Sequence, residues 1–286
     1  DFFGVGLASM IIPALLTGCL GASTDEAPIY QKIACTIPGL NIFVNAVMAI
    51  KNDKPDDAAY MVTRLFEALL KASPQTLLQS FVALRRPEGL NKYTLYTGIC
   101  LSLFSVSKTL VTFFVMGGPN RDKFDHYPTK VRMFILSLTY VLCEMISRVF
   151  SIALLGYFSG GYLIAGYGSG EYLITWVLIR PLGDFDWFNL LLFPFTSLVC
   201  TEKFTFKVFL CLRLFILALY AVTPHLTKYD DVEFIEPTDE GIPAIFFGLM
   251  VIATTIWVLI VPAFVNSMTN LELKLSVGGY IPRRFT

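Results

Sequence analysis

Residues 242–265, IPAIFFGLMVIATTIWVLIVPAFV, contain no ionisable side chain. A helix needs about 20 such residues to cross roughly 30 Å of hydrocarbon, and this run is long enough to do so. Three further windows, 94–117, 132–157 and 206–226, have comparable length and apolar character. Less uniform windows occur at 2–20, 32–50, 58–84, 161–179 and 187–201. Charged residues make up 15% of the chain, against about 25% in a soluble domain. The deficit, with 55% hydrophobic residues and 25 Phe, points to lipid as the solvent. The expected fold is therefore all-α: a polytopic transmembrane helical bundle of about seven to nine segments.

Several segments are interrupted. Pro38-Gly39 breaks 32–50, and the short 187–201 contains Pro194. Such segments are expected to enter the bilayer and return, with protein around their backbone. Connectors such as KNDKPDD, RRPEGLNK, GGPNRDKFDHYPTK and TKYDDVEFIEPTDEG hold the Pro, Gly and Asp that end helices. No long polar insert divides the chain, so 1–267 is expected to form one transmembrane domain and 268–286 a short cytoplasmic tail. The cytoplasmic side follows from Lys274 and Arg283-Arg284, because positive residues mark that side and acidic ones count for little. The acidic 227–241 connector then lies across the membrane. DFFGVGLASMIIP and DWFNLLLFP (186–194) share an Asp-aromatic-Phe start and a later Pro, which either an internal repeat or chance likeness of apolar sequence explains.

The ionisable residues inside the apolar windows carry the functional argument. Arg64, Glu67 and Lys71 recur at spacings of three and four, hence on one helix face, and Gln75 and Gln79 extend that stripe if the helix survives Pro74. A residue before proline is pushed out of helical geometry, so a kink or break is expected near Ser73. Glu144 and Arg148 are four apart within 132–157, and Arg180 and Asp184 are four apart beside Pro181. Lys108 lies deep in 94–117 and Arg213 within 206–226. A central Arg, Lys or Asp costs about 2.5–3.5 kcal/mol to insert, so five or more amount to of order ten kcal/mol. Such residues should face a bundle interior or wet cavity and find partners. They either line a polar pathway or lock helices together as ion pairs.

Other chemistry has little footing. Net charge is zero, which gives no field for nucleic acid. The six cysteines (19, 35, 100, 143, 200 and 211) fall in apolar stretches without a CxxC and read as buried free thiols. His126 and His225 lie at segment edges near prolines and read as loop residues. Walker, HExxH and GxSxG motifs are absent, and GYGSG (166–170) reads as a close-packing element. Neither an enzyme nor a bound cofactor or metal is expected.

LFEALLKASPQTLLQSFVAL (65–84) resembles the signature of the XK-related membrane protein family, at Glu67, Ala68, Ser73, Pro74, Gln75, Leu78 and Gln79. YTGICLSLFSVSKTLVTFF and FILSLTYVLCEMISRVFSIALL are similar to the two spans that follow it, the second carrying Arg148 where the family has an arginine. DFFGVGLASMIIPALL resembles the family's second span, which would put the first upstream of Asp1. The resemblance implies pseudo-symmetric halves and partly inserted helices. It also implies one of two roles. Some members are phospholipid scramblases, which move lipids between leaflets without ATP; others act as partners of single-span or bridge-like lipid-transfer proteins. Passive scrambling along a headgroup track of Arg64, Glu67, Lys71, Gln75, Gln79, Lys108, Glu144, Arg148, Arg180, Asp184 and Arg213 is the first expectation, and a non-transporting adaptor subunit is the alternative. Caspase activation is not carried over, because residues 268–286 hold no aspartate and EPTD (236–239) falls on the opposite side. Plasma and organelle membranes are not distinguished.

Overall fold

The structure is a computed structural model that describes residues 67–85, 91–117, 130–159, 203–226 and 241–270, with Val47, Met61, Arg64, Leu65, Ser169, Gly170, Leu173 and Val177. All regular structure among these residues is helical. Helix α1 (Ser73–Arg85) follows a π-helical turn, Ala68–Ala72. Helix α2 (Lys92–Val111) runs into a second π-helical turn, Thr112–Met116. Helices α3 (Lys130–Ser159), α4 (Lys203–Leu226) and α5 (Gly241–Asn270) complete the described set.

Among the described residues, three helices are long and apolar enough to cross a membrane: Tyr93–Met116, Lys130–Phe158 and Gly241–Met268. They coincide with the windows 94–117, 132–157 and 242–265. The fourth window, 206–226, also forms a helix, Lys203–Leu226, whose described side chains include the apolar stretch Leu210–Leu219. The interrupted segments 2–20, 32–50 and 187–201 lie outside the described residues, apart from Val47.

The expected break at Ser73 does not occur. Ser73 keeps helical angles (φ −66°, ψ −50°), and its backbone N–H bonds to the Ala68 carbonyl, five residues back. Proline has no N–H, and its ring collides with the carbonyl four residues earlier. Widening the preceding turn relieves the collision while the chain stays helical. Elsewhere the sequence works as expected. Asn91 caps α2, its side-chain carbonyl accepting from Tyr93 N at 3.2 Å and Thr94 N at 3.4 Å.

Helix α3 is the hub: α1, α2, α4 and α5 all pack on it, and α1 also packs on α2. Burial reflects this, since 67% of the α3 apolar window is buried against 28% for α5. Contacts set the directions. Tyr140 of α3 stacks on Phe264 at 4.3 Å and lies 5.9 Å from Trp257, while Phe150 lies 4.6 Å from Phe246. Numbers rise along α3 as they fall along α5, so the two are antiparallel. Arg85 at the end of α1 bonds to carbonyls near the end of α3, so those two run parallel.

Lipid is as apolar as leucine, so these helices associate by packing and polar contacts and not by escape from water. The buried face of α1 is accordingly small: Ser73, Thr76, Ser80 and Ala83, with Leu84. Each hydroxyl donates to its own helix, Ser73 to Ala68 O (3.1 Å), Thr76 to Ala72 O (2.6 Å) and Ser80 to Thr76 O (2.8 Å). Small side chains with internally satisfied protons allow α1 close approach to its neighbours.

Candidate intramembrane polar site

Among the described residues, two charged side chains sit in the bundle interior. Glu144 of α3 is 2% exposed and Arg213 of α4 is 3% exposed. Arg148, one turn beyond Glu144, is half-buried. Leu155 and Ile216 form a small buried cluster flanked by Ile152 and Leu212, which marks the α3–α4 contact. Arg213 is next to Leu212 in sequence and shares a buried face with Ile216 and Leu217, so α4 turns its arginine toward the bundle. Glu144, Arg148 and Arg213 are each engaged by a neighbouring group. Around them α3 buries the hydroxyls of Ser137, Ser147 and Ser151. Ser147 donates to Cys143 O at 2.8 Å and Ser151 to Arg148 O at 2.9 Å.

The α1 stripe is graded. Arg64 is exposed, while Glu67, Gln75 and Gln79 are half-buried. Arg64 and Glu67 each engage a neighbour. Lys71 lies within the π-helical turn, and its side chain is outside what the structure describes. The π-helical turn separates Arg64 and Glu67 from the two glutamines, so the unbroken three-and-four spacing overstates how well they align. Gln79 faces α2: a Cβ on Gly98 would stand 3.7 Å from its amide Nε2 and Oε1. Its Oε1 is buried without a hydrogen-bond partner among the described residues.

Lys108 is neither in the interior nor beside these groups in the sequence pattern, because it stands on the exposed face of α2. Arg180 and Asp184 lie outside the described residues. The cysteines need one correction. Cys143 is buried and free, but Cys100 and Cys211 are free and exposed, because the outer faces of α2 and α4 meet lipid, where a thiol needs no burial. Cys19, Cys35, Cys200 and His126 lie outside the described residues.

Two features escape a search for charges alone. One is the hydroxyl face of α1, visible as Ser/Thr at 73, 76 and 80 once helical spacing is applied. The other is Arg85, whose Nη2 donates to Gly156 O at 3.4 Å and Tyr157 O at 3.3 Å while its guanidinium stacks 5.0 Å from the Phe81 ring. These carbonyls belong to the last turn of α3, where a cation meets the negative end of the helix dipole. Burial lowers the Arg85 pKa from its ordinary value and Tyr157 acts in the other direction, but a guanidinium stays protonated.

Comparison with curated proteins and with solved structures returns no match. A family model described as XK-related protein matches residues 54–277, which include the 65–84 signature and all five described helices. With ionisable groups held inside apolar helices and that match across most of its length, the chain belongs to the XK-related family and is a membrane protein of that kind.

Proposed function

We propose that the chain is a passive, ATP-independent phospholipid scramblase that makes and breaks no covalent bond. The observation that carries this reading is two oppositely charged side chains, Glu144 and Arg213, kept buried on largely apolar helices. Their insertion is costly, and leucine would avoid that cost. Cations at this depth meet lipid phosphate and carboxylates meet headgroup amines, each partly offsetting the other's desolvation. Half-buried Arg148, one helical turn from Glu144, extends the buried charge toward the bundle surface. Transfer on this reading needs the helices packed around Glu144 and Arg213 to part.

The finer architecture belongs to the same proposal: about seven to nine segments in pseudo-twofold halves, with α4 among the spans. The helix directions support a cytoplasmic tail. The end of α5 lies on the same side as the start of α3, and that start carries exposed Lys130 and Arg132. Phospholipids are the substrate, and a single-span membrane protein is the partner the family resemblance suggests.

The test is reconstitution into liposomes with labelled phospholipid. The protein should move label faster than empty vesicles, and Glu144→Gln should slow transfer. Label movement no greater than in empty vesicles, across a range of calcium and after trimming residues 268–286, overturns the reading. The near-complete burial of Glu144 and Arg213 favours a second reading, a non-transporting adaptor in which they lock α3 to α4. Extraction in mild detergent followed by sizing separates the two: a stoichiometric complex supports the adaptor, a lone monomer or simple dimer the scramblase.

A further inference from the structure

The outward face of α2 carries a line of polar residues beside exposed Cys100, Leu101 and Phe104. Thr94, Thr97, Ser105 and Lys108 are all exposed, and helical spacing puts them on one line interrupted by Leu101. Lys108 is eight residues from the end of the Tyr93–Met116 span, so its Cα lies about 12 Å inside that end and about 5 Å from mid-depth. The Cα–Cβ bonds of a helix tilt toward its N-terminus, which here is toward the bilayer centre. Lys108 therefore leans away from the nearer interface, and the usual escape of a lysine to the headgroup layer is hindered.

The donors on this face are unused. Thr109 and Thr112 return their protons to Ser105 O (2.9 Å) and Lys108 O (2.8 Å). The Ser105 hydroxyl and the Lys108 ammonium make no hydrogen bond or ion pair among the described residues. Three residues apart on a helix, their Cβ atoms are about 5–6 Å from each other. From there the flexible lysine ammonium can converge with the serine hydroxyl on one phosphodiester, and an acceptor-only anion complements two donors.

We propose that the exposed face of α2 is a lipid-phosphate lane, with Ser105 and Lys108 as its central station and Thr94 and Thr97 as steps toward one leaflet. It deepens the scramblase reading by naming the headgroup atom that is recognised: the phosphate, common to choline, ethanolamine and serine lipids, and not the amine that distinguishes them. The lane lies outside the bundle, so lipid phosphate occupies it before the helices around Glu144 and Arg213 part, a step that transfer itself still requires.

The test reads occupancy, not transfer. In a cysteine-free background Leu101→Cys, one turn from the station, is labelled with bimane, and the full chain is placed in vesicles of phosphatidylcholine. The vesicles carry a nitroxide on the choline headgroup, at mid-acyl chain, or on a phosphate-free glycolipid headgroup. Headgroup quenching by the phosphatidylcholine nitroxide should fall roughly twofold or more in Lys108→Gln, a size set by one cation–phosphate contact, and persist in Lys108→Arg. The glycolipid nitroxide should quench the parent and Lys108→Gln alike. Equal phosphatidylcholine headgroup quenching in parent and Lys108→Gln overturns the lane. So does weak quenching by headgroup and mid-chain nitroxides together, which marks a face covered by another protein. Circular dichroism and gel filtration confirm that each variant is folded. Lysine-dependent quenching in a protein that moves no labelled lipid sinks the scramblase reading and leaves the lane standing; transfer without such quenching does the reverse.

Discussion

The hydrogen bond between Thr254 on α5 and Ser147 on α3 allows a quantitative test of how this bundle is held. Thr254 Oγ1 lies 3.0 Å from Ser147 Oγ and 2.8 Å from Met250 O, and Ser147 donates its own proton to Cys143 O at 2.8 Å. Thr254 has one hydroxyl proton for two acceptors, so the interhelical bond competes with the bond to its own backbone. Losing either hydroxyl leaves no orphan, because Met250 O and Cys143 O keep their helical N–H donors. The interhelical bond should thus lie near the typical membrane value of about 0.6 kcal/mol, well under the maximum of about 1.7 kcal/mol. Ser147→Ala, Thr254→Val and the double variant form the cycle, read by reversible unfolding in mixed micelles. A coupling of about 2 kcal/mol or more would show an undivided bond and refute the proton accounting. A coupling indistinguishable from zero would show that the hydroxyls do not meet.

Trp257 is fully buried against Tyr140, and Trp257→Ala should destabilise the bundle by about 3–5 kcal/mol, measurable as a lower unfolding midpoint, whereas Leu259→Ala on the exposed side of α5 should change little. Arg85→Met should cost about 1 kcal/mol, since its carbonyl contacts are long and half-buried, and Arg85→Lys should recover only part because one ammonium cannot reproduce the stack on Phe81. Among single-cysteine variants in vesicles, a membrane-permeant maleimide should label Cys100 and Cys211 slowly, because a thiol facing lipid stays protonated, and Cys143 only after denaturation; labelling of Cys143 as fast as theirs would contradict the packing of α3.

Hydropathy alone located α2, α3 and α5, because a span must hide its backbone in a helix and surround it with apolar side chains wherever lipid touches it. The 65–84 run was enough to point to the family, since Ser73-Pro74-Gln75 and Gln79 are unusual choices for an apolar segment. One-dimensional spacing also put Glu144 and Arg148 on one face of a helix. It did not give the outcome at Pro74, where helical continuity was kept by widening the turn before it, a backbone adjustment that side-chain periodicity does not report. Nor did it separate Lys108 from Glu144 and Arg213. All three are charges in apolar helices, and only the neighbours of each face distinguish them: α3 is wrapped by four helices and seals Glu144, while α2 turns Lys108 outward. A charge inside an apolar run is a property of the sequence. Whether it meets protein or lipid depends on which helices pack around it, and that is settled by contacts between segments far apart along the chain.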